Sequence, residues 1–433
     1  MIHSKSTLPH SPFPKYERYK DSGYEWLGEM PEHWEVQSLR AVAGLYVEKN
    51  QSDLPVLSVY REYGVILKDS RDDNHNATSL DTSNYKVVRP GDLAVNKMKA
   101  WQGSLGVSEH HGIVSPAYIT CRLNQEKVTG RYIHYLLRSK SLIGALDSIS
   151  YGVRVGQWDM RFEDFKKVGI TIPPKSEQDR IVTFLDQKTA EIDALIAKKQ
   201  RQIELLDEQK AILINRALTR GLNPDAKLKP SGIEWVGDIP EHWGTCKARH
   251  IFSQEERPIR KTDDVVTAFR DGQVTLRSKR RTEGFTVAIL EQGYQGIEPG
   301  DLVIHGMDAF AGAIGISEDR GKCTPEYIIL NSIIAGIDNG FFALHLREMS
   351  QSGYIHLICP SVRERAPRFR FPKLADVFLT VPPLGEQLEI VSLVRKIREE
   401  SARVVASLTA QIGGFKNFRS TLIAHSVTGS IKV

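Results

Sequence analysis

Residues 19–34, YKDSGYEWLGEMPEHW, return as residues 228–243, LKPSGIEWVGDIPEHW, with 10 of 16 positions identical. The shift is 209 residues (240 − 31 = 209 for the proline of each PEHW). Every other echo in the chain obeys it. Pro90-Gly91-Asp92-Leu93 falls on Pro299-Gly300-Asp301-Leu302, and Gly103, Gly106 and Gly112 fall on Gly312, Gly315 and Gly321. Arg161-Phe162 falls on Arg370-Phe371, Pro173-Pro174 on Pro382-Pro383, and Glu177-Gln178 on Glu386-Gln387. Solenoid repeats run to tens of residues, so a period this long is a duplicated domain plus its connector. The function this implies is one that uses two similar modules held in a defined relation.

A chain of 433 residues with 41% hydrophobic and 26% charged content is long enough for two or three domains and ordinary for a soluble protein. Its longest apolar stretch, residues 327–337, is broken by Asn331 and Ser332 and falls short of a membrane span. The opening MIHSKSTLPHSPFPKY lacks the apolar core of a signal peptide, so a cytoplasmic location and no membrane partner are expected. Cys121, Cys246, Cys323 and Cys359 lie far apart with no C-x-x-C pair, which reads as reduced structural thiols. Net charge is only +5, but basic residues cluster: Arg277, Lys279, Arg280 and Arg281 in one run, Arg363, Arg365, Arg368, Arg370 and Lys373 in another. Lys97 and Lys99 precede Trp101-Gln102, and Arg154 and Arg161 bracket Gln157-Trp158. Cations interleaved with aromatics and amides suit a polyanion whose bases are also touched; solvated surface charge is the alternative reading.

Each copy divides in two. After a flexible tail at 1–15, residues 16–175 and 223–384 mix short apolar runs with many Gly and Pro turn signals, the pattern of a strand-rich α+β domain. Residues 176–222 and 385–433 read as long spacer helices. The first is expected to start behind Pro173-Pro174 with Ser176 as its N-cap and to stop at Gly221 and Pro224. A heptad seam runs through Val182, Thr189, Ile196, Ile203, Lys210 and Ala217 on one line and Leu185, Ile192, Lys199, Leu206 and Leu213 on the other. That spans a rod of about 60 Å. In the second helix Gly385 stands at the capping position and Gly413-Gly414 predicts a kink or loosening. The fold class that follows is α+β: two similar domains, each followed by a long helix. A single amphipathic rod needs a partner, and the simplest is the other copy, packed as an antiparallel coiled coil with pseudo-two-fold symmetry.

Both copies carry SGxEWxGxxPEHW, PGDLxxxxMxAxxGxxG and PPxxEQ leading into a long helix, and over residues 16–431 this resembles the specificity subunit of type I restriction-modification systems. The resemblance implies two target recognition domains, each reading half of a bipartite double-stranded DNA site whose unspecified gap is set by the helices. It also implies a subunit with no catalysis and no cofactor of its own. Such a subunit docks two methyltransferase subunits, which bind S-adenosylmethionine, and through them restriction subunits that use ATP and magnesium. The residues agree: Ile172 and Val381 precede the Pro-Pro pairs where an amino-methyltransferase needs Asn or Asp, and no Walker lysine loop occurs. His110, His111, His33 and His242 have no companion cluster at metal-ligand spacing.

The repeat itself sorts candidate DNA contacts. Shared cations, Arg154 with Arg363 and Arg161 with Arg370, suit phosphate, which carries no sequence information, although an internal ion pair explains them equally. Unshared polar residues suit base readout: Lys97, Lys99, Trp101, Gln102 and Gln157 stand where the second copy has Gly306, Asp308, Phe310, Ala311 and Ala366. In the second copy Arg277, Lys279, Arg280 and Arg281 are the corresponding candidates, with Arg365 and Arg368 beside the shared pair. Leu205 and Ile214 are expected as exposed apolar residues that receive the methyltransferase subunits. Two other readings stay open here: an enzyme whose motif has drifted, and a coiled-coil scaffold that binds proteins.

Overall fold

The computed structural model describes residues 13–71, 78–152, 158–280, 292–359 and 368–433. They form two compact units, residues 1–200 with 409–433, and residues 201–408. Each unit holds one domain and one end of each long helix.

In the first unit, strand Tyr19–Asp21 pairs antiparallel with Glu29–Pro31, and Glu35–Ser38 pairs with Gly169–Ile172, which ties the beginning of the domain to its end. The central sheet is antiparallel, in the order Ala43–Leu45, Tyr118–Leu123, Leu93–Asn96, Leu105–Val107. Side chains on a strand alternate between faces, and both faces of this sheet are covered. Leu93, Val95 and Cys121 join the core with Ile133, Leu136 and Leu137 from the helix Gly130–Leu137. Ala94, pointing the other way, packs with Leu57, Val59 and Val65 of the hairpin Leu57–Tyr60/Gly64–Leu67.

The second unit repeats this register. Leu228–Pro230 pairs with Asp238–Pro240, Gly244–Lys247 with Phe378–Val381, and the central sheet runs Phe252–Gln254, Tyr327–Ser332, Leu302–His305, Ile314–Ile316. Leu302, Ile304 and Leu330 face one core and Val303 and Ile329 the other.

The repeated motifs fold onto one another, which explains why they repeat. Trp34 is fully buried, and its indole Nε1 donates to Glu177 Oε2 at 2.9 Å; His33 Nε2 lies 2.7 Å from the other carboxylate oxygen, and Tyr16 donates its hydroxyl at 3.1 Å. In the second unit Trp243 Nε1 and His242 Nε2 each lie 2.9 Å from Glu386 Oε2. The neighbouring Gln178 accepts from Thr129 N and donates to the carbonyls of Lys127 and Pro173; Gln387 does the same with Asp338, Gly336 and Pro382. The Trp of PEHW and the EQ pair are therefore two halves of one joint, holding each domain to the start of the helix that follows it. Burial pushes the Glu177 carboxyl up, but the bonds from Trp34, His33 and Tyr16 outweigh it and hold it below the usual range.

The long helices are Lys175–Arg220 and Leu384–Thr428. Within each unit they run antiparallel. In the first, Arg419 ion-pairs with Asp193, while the carbonyl of Val427 accepts from Tyr132 and from Thr171, in the strand that leads into the first long helix. In the second, Ile214, Ala217 and Leu218 cluster with Ile390 and Val394. Gly221, at φ 71°, and Gly429, at φ 77°, end the two helices in the left-handed region, where an L side chain is strained. Each glycine is pressed against a PEHW segment, Gly221 against Pro240 and Trp243, Gly429 against Pro31 and Trp34.

Two expectations, the Ser176 cap and the exposure of Ile214, are corrected. Ser176 is not the N-cap: the first helix begins at Lys175, and the carbonyl of Pro174 already accepts from Glu177 and Gln178. The second helix runs without interruption through Gly413-Gly414, so any loosening there stops short of ending it. Ile214, expected to be exposed for a partner, is buried at 8% while Leu213, expected in the seam, is 42% exposed. A straight helix drifts about 20° per heptad from a strict seven-residue repeat. By the fourth heptad this approaches one residue, so the buried stripe has passed from 213 to 214. Leu205 is exposed as expected.

Candidate nucleic-acid interface

The loop after strand Leu93–Asn96 and its repeat after Leu302–His305 are built on one frame. Lys99 N bonds Asn96 O, Gln102 N bonds Lys99 O and Gly103 N bonds Ala100 O; Asp308, Ala311 and Gly312 make the matching bonds to His305, Asp308 and Ala309. Gly103 and Gly312 both sit at φ 87°, and Ala100 and Ala309 are both fully buried. The loop is then tied to the far end of the domain: Met160 N bonds Lys97 O at 3.0 Å, and Phe369 N bonds Gly306 O at 3.0 Å. Met160 and Phe369 are buried, so the residues that follow them, Arg161 and Arg370, are presented at equivalent places beside the loop.

In the first domain this brings together Lys97, Trp101 and Arg161. Lys97 Nζ lies 3.1 Å from Asp159 Oδ2, the rings of Trp101 and Trp158 are 4.9 Å apart, and the Arg161 guanidinium lies 5.3 Å over the Tyr151 ring. Lys99 is exposed and has no ion pair among the described residues. Gln102 points elsewhere, lining a cavity of about 390 Å³ with Arg61, Tyr135, Arg138 and Arg419. Arg154 and Gln157 lie outside the described residues, as do Arg281, Arg363 and Arg365.

The second domain presents its cations differently. Arg280 forms a bidentate pair with Asp271 and stacks 4.2 Å over Phe269, and Lys279 Nζ reaches Asp319 at 2.6 Å. The Lys279 hydrogen bond, with those from Thr275 and Leu276 N, holds the Asp319 carboxyl at about 2. Arg277 bonds Thr267 Oγ1 through Nε. These pairs staple the hairpin Val266–Ala268/Val274–Leu276, so DNA contact by Lys279 or Arg280 has to share or open them. Arg368 and Arg370 are held only loosely, at 3.8 and 3.9 Å from Glu326, and remain well exposed.

Two arginine pairs escaped the sequence reading although the 209-residue shift exposes them. Arg61 matches Arg270, which ion-pairs with Asp308 at 2.7 Å and so joins the hairpin turn to the second loop. Arg138 matches Arg347. The Arg138 guanidinium donates to the carbonyls of Tyr60, Arg61, Gly103 and Leu105, and Arg347 donates to those of Arg270 and Gly312. Burial lowers both to about 10, still charged near neutrality. Each therefore locks the loop and the hairpin turn to one helix, a structural charge rather than a free phosphate ligand.

No group of three or more His, Cys, Asp or Glu side chains stands ready to hold a metal among the described residues. His33 and His242 are instead hydrogen-bonded to Glu177 and Glu386. The four cysteines are free thiols. No described helix is long and apolar enough to cross a membrane. What the two sites offer is a rigid loop, divergent side chains on a common frame, and exposed cations at its edge.

Residues 31–205 match the family model described as type I restriction modification DNA specificity domain. The type I restriction enzyme MjaVIII specificity subunit of Methanocaldococcus jannaschii is 24% identical over 411 residues, covering 88% of this chain and 90% of that protein. The putative type I restriction enzyme MjaX specificity subunit of the same organism is 25% identical over 252 residues, 53% of this chain and 55% of that protein. The HsdS subunit from Thermoanaerobacter tengcongensis shares the fold at TM-score 0.50 and 16% identity, over 95% of this chain and all of that one. A chain from a structural study of type I R-M complex assembly and conformational transition does so at TM-score 0.65 and 15% identity, over 92% and 98%. With its two-copy frame, the chain is similar over most of its length to type I restriction enzyme specificity subunits, and residues 31–205 match their DNA specificity domain.

Proposed function

We propose that this chain is the DNA-reading subunit of its complex: each domain reads one half of a bipartite, asymmetric site, and the helices set the gap between the halves. One observation carries this reading. The two loops share every backbone tie described above, yet differ at Lys97/Gly306, Lys99/Asp308 and Trp101/Phe310. A common frame with divergent side chains is what reading two different half-sites requires, since base edges, unlike phosphates, carry sequence information. Arg161 and Arg370 serve as phosphate anchors. As a specificity subunit the chain is non-catalytic; S-adenosylmethionine binds in two methyltransferase subunits docked on it, and ATP and magnesium in restriction subunits held through them. Leu205 belongs to the docking surface for the methyltransferase subunits, whereas Ile214 serves the core.

Methylation profiling of the host with and without the gene tests this directly. A bipartite motif that disappears on deletion and returns on complementation supports it; a motif unchanged by deletion rules it out.

A further inference from the structure

We infer that Met98 and Met307 are base-contacting residues, one per domain, each lodging its thioether against a base step of its half-site; this rests on the DNA-reading role proposed above. Between residues 96–103 and 305–312 only three positions are identical: Met98/Met307, Ala100/Ala309 and Gly103/Gly312. The frame accounts for two of them. Ala100 and Ala309 are fully buried, and Gly103 and Gly312 occupy a backbone conformation that L side chains rarely adopt. It gives no account of the methionines, which are 46% and 38% exposed and belong to none of the hydrophobic clusters among the described residues.

An apolar side chain held out to solvent twice, at the apex of a loop whose polar residues have diverged, points to a contact that both half-sites offer. Phosphate does not attract a thioether. The face of a base does, and apolar wedges of this kind, methionine among them, enter between base steps. Methionine is unbranched and polarizable, so one side chain adapts to two different sequences. The backbone ties from Met160 to Lys97 and from Phe369 to Gly306 deliver Arg161 and Arg370 beside the same loops, so the phosphate anchor and the wedge approach the duplex together.

The test uses the full chain assembled with its methyltransferase subunits and a duplex carrying the motif found by methylation profiling. Met98→Ala and Met307→Ala are each expected to weaken binding about ten-fold, the scale of one methionine side chain returned to water. The log-log salt slope should stay unchanged, because no phosphate contact is lost. Met98→Leu should bind within about two-fold of the parent, since it restores most of the apolar surface. A 2-aminopurine at the contacted step should brighten with the parent complex and stay quenched with Met98→Ala. Unchanged affinity in both alanine variants overturns the inference, as does a salt slope altered by about one unit. A loss of affinity that comes with a lowered melting temperature also overturns it, by showing that the methionines serve the fold. If the parent complex itself shows no preference for the motif, the DNA-reading role fails, an outcome distinct from parent and variants binding it equally.

Discussion

Replacing Glu177 by alanine probes the joint between domain and helix. The carboxylate accepts from the Trp34 indole at 2.9 Å, and Trp34 is fully buried, so truncation removes the acceptor of that buried N–H. A buried unsatisfied donor costs about 1–3 kcal/mol. Losing a negative charge from the first turn of a helix costs about 0.3–1 kcal/mol more. The exposed His33 can turn to solvent and adds little. The sum, about 1.3–4 kcal/mol, should lower the urea midpoint of the first unit by about 0.4–1.3 M for a slope near 3 kcal/mol/M. Circular dichroism on the full chain reads it, with hydrogen exchange at the amides of residues 19–38 locating the loss. Glu177→Gln keeps an acceptor oxygen and should cost less than half as much. Glu386→Ala should repeat the effect in the second unit, where Trp243 makes the same bond. A midpoint shift in Glu177→Ala worth less than about 0.5 kcal/mol, within the scatter of ordinary surface changes, would refute the joint.

The same carboxyl gives a pH dependence. Its pKa in the fold lies below the unfolded value of about 4.3, so its contribution is present above that pH and is lost as pH falls through the folded value. The stability gap between parent and Glu177→Gln should therefore close in acid and be open at pH 7; a gap that persists unchanged to pH 3 contradicts this. Gly413 and Gly414 are exposed helical residues with open space where a Cβ would go. Alanine at each should raise stability by about 1 kcal/mol, measured by thermal melts, without altering DNA affinity. Arg161→Ala should reduce the log-log salt slope of DNA binding by about one, whereas Arg280→Ala, which breaks an existing pair with Asp271, should change it less. Four residues inserted into the first long helix add about 6 Å of rise, and methylation profiling should then return a wider gap between unaltered half-sites. A changed half-site with the original gap would reverse the roles of reader and ruler.

The duplication, the strand-rich domains and the long helices were all legible because period and punctuation are local signals. Helix phase was legible only at the start: Leu185 and Ile192 are buried as the heptads require, but the accumulated drift exchanges Leu213 for Ile214. Lys279 and Arg280 looked free because their carboxylates, Asp319 and Asp271, are brought in by strand pairing rather than by sequence adjacency. Arg138 shows the same limit more sharply. Its four carbonyl partners come from two separate turns, so nothing near it in the chain distinguishes a buried clamp from a surface cation. The shift of 209 would have paired it with Arg347, yet a shared arginine alone does not say which role it has.

The first unit is completed by residues 409–433, whereas the second is a single stretch, 201–408. During synthesis the second unit therefore has all of its chain available before the first does. The PEHW tryptophan of the first domain must wait, partly uncovered, until Gly429 and the end of the second helix emerge. Chains normally mature from the N-terminus onwards; here the earliest-made domain is finished last. Holding its core open across more than two hundred intervening residues makes the nascent first domain the vulnerable one. Premature arrest near residue 408 should accordingly leave a second unit that resists protease beside a first unit that does not.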